Sequence, residues 1–154
     1  MPDRGVVLDS SVIAALFFPE PFSAWAETVI ENFEEFFTAD IAVAEVCNVA
    51  WKRIHLFKHP KEKVIDALEK AINFIEGICH IVKASDEYRN AIDIAIRTGI
   101  TFYDALFLNI SVQKGLKLAT LDKKLVGRLK DSNYEDKLLH PYISSSAIGK
   151  SRKR

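Results

Sequence analysis

Asp9, Glu45, Asp104 and Asp122 are the side chains of this sequence best placed to do chemistry together. Asp9 ends the apolar run Gly5-Val6-Val7-Leu8, Asp122 follows Lys117-Leu118-Ala119-Thr120, and Asp104 stands at the head of an apolar helical stretch that begins at Thr101. Glu45 lies within Ala42-Val43-Ala44-Glu45-Val46-Cys47, where a charge has little local reason to be. Three of these acids therefore fall at strand ends or in the first turn of the neighbouring helix, which is where open α/β sheets gather ligand-binding groups. Two carboxylates about 5 Å apart repel by roughly 3 kcal/mol at an effective dielectric near 20, so four in one pocket partly protonate unless a cation neutralises them. A ligand set of oxygens alone, without Cys or His, selects Mg²⁺ or Mn²⁺.

Each acid taken singly also has a structural explanation. Asp9 and Asp122 suit helix N-caps, Thr101 and Asp104 approximate a capping box, and Glu45 shares a polar stripe with Asn48 and Lys52. Capping alone does not require the acids to converge, and convergence is what the elements around them supply. The runs Gly5–Leu8, Phe36–Thr38, Cys79–Val82, Lys117–Thr120 and Leu138–His140 read as strands. Between them the apolar spacing predicts helices from Ser10 through Phe17, across Ala24 to Phe33, from an Asp40 cap to about Phe57, and from Pro60 to near Gly77. Further helices are predicted from a Ser85 cap to Gly99, from Thr101 to Gly115, and from Asp122 to about Lys130. Strands alternating with helices predict an α/β fold, a three-layer α/β/α sandwich with a central, mostly parallel sheet of four to five strands.

The 154 residues, 49% of them hydrophobic, suit one domain over 1–143, followed by a small, polar and basic tail over 144–154 that is expected to be loosely ordered. Lys and Arg number 21, as do Asp and Glu, so a polyanion has to be held by local charge. Cys47 and Cys79 lack the spacing of a zinc site or disulfide framework, and His55, His59, His80 and His140 are scattered. No apolar run approaches a membrane span and the N-terminus leads straight into a strand, which together predict a soluble cytoplasmic protein.

The same four acids carry a resemblance. Leu8-Asp9-Ser10-Ser11, Ala44-Glu45-Val46, Tyr103-Asp104-Ala105 and Thr120-Leu121-Asp122 are similar, in order and spacing, to the four acidic motifs of the PIN domain family, especially its small VapC-like ribonucleases. The resemblance covers the chain from its first strand through Asp122. It implies Asp9, Glu45, Asp104 and Asp122 as catalytic metal ligands, Mg²⁺ or Mn²⁺ as cofactor, and a supporting role for the hydroxyls of Ser11 and Thr120. It further implies a metal-dependent endoribonuclease, in which metal-activated water hydrolyses an RNA phosphodiester to leave 5′-phosphate and 3′-hydroxyl ends. The partners it implies are RNA, a second copy of the chain, and a small antitoxin of a toxin-antitoxin pair.

An acidic pocket repels RNA, so positive charge is needed at its rim. Lys123, Lys124, Arg128 and Lys130, on the helix that Asp122 opens, are the nearest candidates, and a solvated helix face is the simpler explanation for them. The aromatics Phe17, Phe18, Phe22, Trp25, Phe33, Phe36, Phe37, Trp51 and Phe57 are too many for one small core, so some are expected to face another chain. Two alternatives compete with the nuclease. One is a catalytically silent PIN-like module that binds RNA or protein, which retention of all four acids argues against. The other is a phosphorylated receiver domain, whose acidic pair after the first strand is here Asp9 followed by Ser10 and Ser11.

Overall fold

The computed structural model describes residues 4–142, so the basic tail over 144–154 lies outside the described residues. Five short strands, β1 (Gly5–Leu8), β2 (Glu35–Ala39), β3 (His80–Val82), β4 (Lys117–Ala119) and β5 (Leu138–Leu139), form one sheet in the order β3-β2-β1-β4-β5. Every pairing is parallel. Seven α-helices connect the strands among the described residues: α1 (Ser10–Phe17), α2 (Ser23–Asn32), α3 (Ala42–His55), α4 (Lys61–Gly77), α5 (Ala84–Thr98), α6 (Phe102–Lys114) and α7 (Lys123–Leu129). The three-layer α/β/α architecture expected from the alternation is present, and the sheet is wholly rather than mostly parallel.

The layers follow from chain direction. Crossovers, right-handed as a rule in parallel sheets, carry the chain from β1 to β2 and on to β3, placing α1–α4 together, where α1 packs on α2, α3 and α4. The return from β3 past β1 to β4 reverses direction, and its helices α5 and α6 pack on each other, with α6 against β1, β2 and β4. Strand β1 is buried at every residue, and it meets Leu106, Leu108, Ile110 and Leu118 in the main core. Its neighbours β2 and β4 are reached by connections running in opposite senses, so a crevice opens at the carboxyl ends of β1 and β4. In a receiver-type sheet β1 instead lies between the second and third strands, so this order excludes that alternative.

Local chemistry agrees with most predicted boundaries. Gly99 and Gly115 end α5 and α6 with φ of 80° and 66°, the left-handed conformation that favours glycine. Two expected caps do not form. Asp40 does not cap α3; its carboxylate accepts from the amide of Ala84 at 3.2 Å, joining the end of β2 to the start of α5. Ser85 lies inside α5, which begins at Ala84 and has no side-chain cap. The aromatics divide unevenly: Phe18 and Phe36 are buried, Phe17, Trp25, Phe33 and Phe37 pack on the core, and Phe22 meets Tyr142 edge-on. Only Trp51 and Phe57 of that group are largely exposed. No helix among the described residues is long and apolar enough to cross a membrane.

Candidate functional site

Asp9 occupies the β1 side of the crevice, 6% exposed, and caps α1 through its Oδ1, which accepts from the amides of Ser11 at 3.0 Å and Val12 at 3.2 Å. Register puts Leu8 beside Ala119, so the next residues, Asp9 and Thr120, face each other across β1 and β4. The buried Thr120 hydroxyl donates to Asp9 Oδ2 and accepts from the Asp122 amide at 3.0 Å. Ser11 works in parallel: its hydroxyl donates to Asp9 Oδ1 and accepts from the Leu121 amide at 2.9 Å. The two hydroxyls thus lock the Asp9 carboxylate to the loop that carries Asp122. Asp122 in turn caps α7, accepting from Lys124 and Leu125 amides at 3.0 and 3.1 Å.

Glu45 and Asp104 approach from the two helical layers. Glu45, in the first turn of α3, accepts a 2.6 Å hydrogen bond from the Ser10 hydroxyl, which ties it to the residue following Asp9. Asp104 sits in the first turn of α6, whose cap is the Thr101 hydroxyl accepting from the Asp104 amide at 3.2 Å. It lines a concavity of about 230 Å³ shared with Asp122, Lys124 and Arg128.

Asp104 feels the charges of Asp122 and Glu45, and Asp9 feels that of Asp104. Burial pushes Asp104 up to about 6, with the charges of Asp122 and Glu45 acting the same way and the Thr101 hydroxyl opposing them. Burial also raises Asp9 to about 6 against the hydrogen bonds from Ser11, Thr120 and Val12, and the charge of Asp104 adds to the rise. Glu45 is raised by burial and held down by Ser10. Among the described residues, none of the four pairs with a basic side chain.

Among the described residues, no three His, Cys, Asp or Glu side chains stand together as a ready metal cage. The donor set nevertheless fits a hard divalent cation. It consists of carboxylates backed by the hydroxyls of Ser10, Ser11 and Thr120.

The rim cations separate. Lys124 and Arg128 border the concavity, with Arg128 Nη1 also donating to the Gly99 carbonyl at 3.2 Å, whereas Lys123 stands 5.9 Å from the Tyr142 ring centroid. Asn48 is exposed on α3. Asn109 is buried and donates to Glu87, and helical periodicity turns it well round α6 from Asp104, away from the crevice. Two contributors were missed by sequence reasoning. Ser10 holds Glu45, and the Tyr142 hydroxyl donates to the Leu121 carbonyl, bracing the Thr120–Asp122 loop from beyond β5. Adjacent Ser10 and Ser11 were a signal for the first; nothing local announced the second.

Thr120 provides a direct check on this network. Thr120→Val keeps the shape but leaves Asp9 Oδ2 and the Asp122 amide without that partner, at an expected cost of about 1–3 kcal/mol in urea unfolding. Thr120→Ser should recover most of the loss.

With this geometry in hand, the comparisons with known proteins are specific. A model of the PIN domain matches residues 6–128. Ribonuclease VapC3 of Pyrobaculum aerophilum is 32% identical over 120 residues, spanning 78% of this chain and 91% of the relative. The crystal structure of PAE2754 from Pyrobaculum aerophilum shares the fold with a TM-score of 0.60 at 22% identity, covering 84% of this chain and 82% of that one. VapBC2 from Rickettsia felis, solved bound to a DNA fragment from its promoter, gives a TM-score of 0.57 at 16% identity, covering 90% of this chain and 100% of that chain.

Proposed function

The chain belongs to the PIN domain family, and from that premise we propose that it is a Mg²⁺- or Mn²⁺-dependent endoribonuclease acting through Asp9, Glu45, Asp104 and Asp122. The observation that carries the proposal is the set of acids at the strand-order reversal, with Asp9 and Asp104 raised by burial and by neighbouring acidic charge and no basic partner among the described residues. The name of the 32% identical relative, a ribonuclease, supports the choice of substrate.

A bound divalent ion supplies activation of the attacking water and neutralisation of charge on the phosphate. The chain's own residues prepare for it. Ser11 and Thr120 fix the plane of the Asp9 carboxylate, Ser10 fixes Glu45, and the α7 cap fixes Asp122, so the orientation of three of the four carboxylates is set by the fold. Lys124 and Arg128 border the Asp104–Asp122 concavity and offset its repulsion of an RNA phosphate, and Lys123, beside the Tyr142 ring, adds positive charge at the start of the same helix. From the resemblance to VapC-like ribonucleases we further propose the chain as the toxin part of a toxin-antitoxin pair, working as a homodimer with an antitoxin protein as its partner.

Purified protein incubated with single-stranded and structured RNA should cut with Mn²⁺ and stop cutting when the ion is chelated. Cleavage that continues in chelator would refute a metal-dependent mechanism. Cleavage retained by Asp9→Asn would place the activity in a contaminant or another site.

A further inference from the structure

The segment Trp51-Lys52-Arg53-Ile54-His55-Leu56-Phe57-Lys58-His59-Pro60-Lys61-Glu62-Lys63 concentrates basic and aromatic residues in a chain whose formal net charge is +0. It forms the carboxyl end of α3 and the turn into α4. Arg53 is engaged in the fold, donating to the Pro19 carbonyl at 2.9 Å and lying over Phe18. The remaining basic residues of the segment are exposed, and among the described residues none pairs with an acid. Trp51 is 51% and Phe57 61% exposed, a placement water disfavours for such large apolar rings. The Trp51 indole lies parallel to the His55 ring, 5.0 Å between centroids and 17° between planes, so an ordered flat platform faces solvent.

The solvent face of α3 that carries this platform adjoins the candidate site through Lys52. With Val46 and Ala50 buried, helical geometry turns Asn48, Trp51, Lys52 and His55 outward, while Glu45 is half-buried at the edge of that face, nearly in line with Lys52 and about 120° round the helix from Trp51. From Glu45 to His55 is about 15 Å along the helix, a few nucleotides of extended chain. Cations spaced beside stacked aromatics are the recognition chemistry of single-stranded nucleic acid, where phosphates meet lysines and bases stack on rings. An acidic protein segment would use the lysines but has no need of an exposed, parallel ring pair.

We propose that the solvent face of α3 and the α3–α4 turn form a track for single-stranded RNA, with Trp51 and His55 stacking a base and Lys52 and Lys58 holding phosphates on the strand that leads to Glu45. This track rests on the ribonuclease assignment and extends it to how the substrate is gripped. It also gives Trp51 a reason to be exposed.

The test uses the full chain in chelator, which separates binding from cutting, and a fluorescent single-stranded RNA beside an abasic strand with the same number of phosphates. Trp25 packs on the core, so quenching of tryptophan emission by RNA reports Trp51. Wild type should bind RNA with quenching and bind the abasic strand more weakly. Trp51→Ala should lose about tenfold in affinity for RNA and little for the abasic strand, and Trp51→Phe should keep most of the affinity while losing the quenching. Lys52→Gln and Lys58→Gln should each lower the slope of log affinity against log salt by about 0.7. Wild-type binding and cleavage with Trp51→Ala indistinguishable in affinity would overturn the track and leave the nuclease standing. No RNA binding or cleavage by wild type would overturn both. Equal quenching by polyglutamate would overturn base stacking and mark the face as a protein-docking surface.

Discussion

Asp104→Asn is expected to lower Mn²⁺-supported RNA cleavage by about a hundredfold or more while raising the melting temperature of the metal-free protein. Asp104 is the electrostatic hub of the crevice: Asp122 and Glu45 press on it, and it presses on Asp9. Changing groups that merely orient metal ligands costs about 10–100-fold, so removing a ligand's charge should cost at least the upper end of that range. The same substitution relieves like-charge repulsion in the absence of the ion, the usual trade between stability and a strained functional site. Asn is close to Asp in shape, and the helix cap survives because the Thr101 hydroxyl accepts from the backbone amide of residue 104. Initial cleavage rates and calorimetry in chelator measure the two effects. Wild-type cleavage by the variant would remove Asp104 from the mechanism, and a lower melting point would show that its charge stabilises rather than strains.

The elements that position this crevice were legible because their signals are local. Apolar runs of strand length stop at Asp9 and Thr120, and the helices start at residues whose capping chemistry is plain, Asp9, Thr101 and Asp122. Long-range geometry was not legible. The sequence of strands does not say that β4 returns beside β1, yet this return is what sets Thr120 against Asp9 and creates the crevice. Asp40 illustrates the same limit: as a residue preceding a helix it suits a cap, but the edge of the sheet offers it the Ala84 amide instead. Adjacent Ser10 and Ser11 point to different sides of a helix, so one reaches Glu45 and the other Asp9. Tyr142 braces Leu121 across a separation that no pattern in the chain encodes.

Titration of the metal-free protein should run against the habit of most folded proteins, with stability falling as pH rises from about 4 to 7. Asp9 has its usual carboxyl value of 3.8 in the unfolded chain and about 6 in the fold, chiefly through burial. Between those values the folded state binds more protons than the unfolded state, so the free energy of unfolding decreases with pH. The favourable contribution is complete below about 4, where both states are protonated, and is lost once pH passes about 6. A displacement of about two pKa units corresponds to something on the order of 3 kcal/mol for this buried group. Asp104, raised to about 6, acts in the same direction with less weight because it is partly exposed to screening solvent. Mn²⁺ should offset most of this fall. It binds the ionised carboxylates, so at pH 7 an ion at a hundred times its dissociation constant adds about 2.7 kcal/mol, and at pH 4.5 protons displace it and the addition fades. Urea unfolding at pH 4.5, 6 and 7.5, in chelator and in Mn²⁺, measures both slopes. Asp9→Asn should flatten the metal-free one; a slope that survives in that variant would move the titration to another group, and a metal-free protein most stable at pH 7.5 would mean that these acids are already neutralised by the fold.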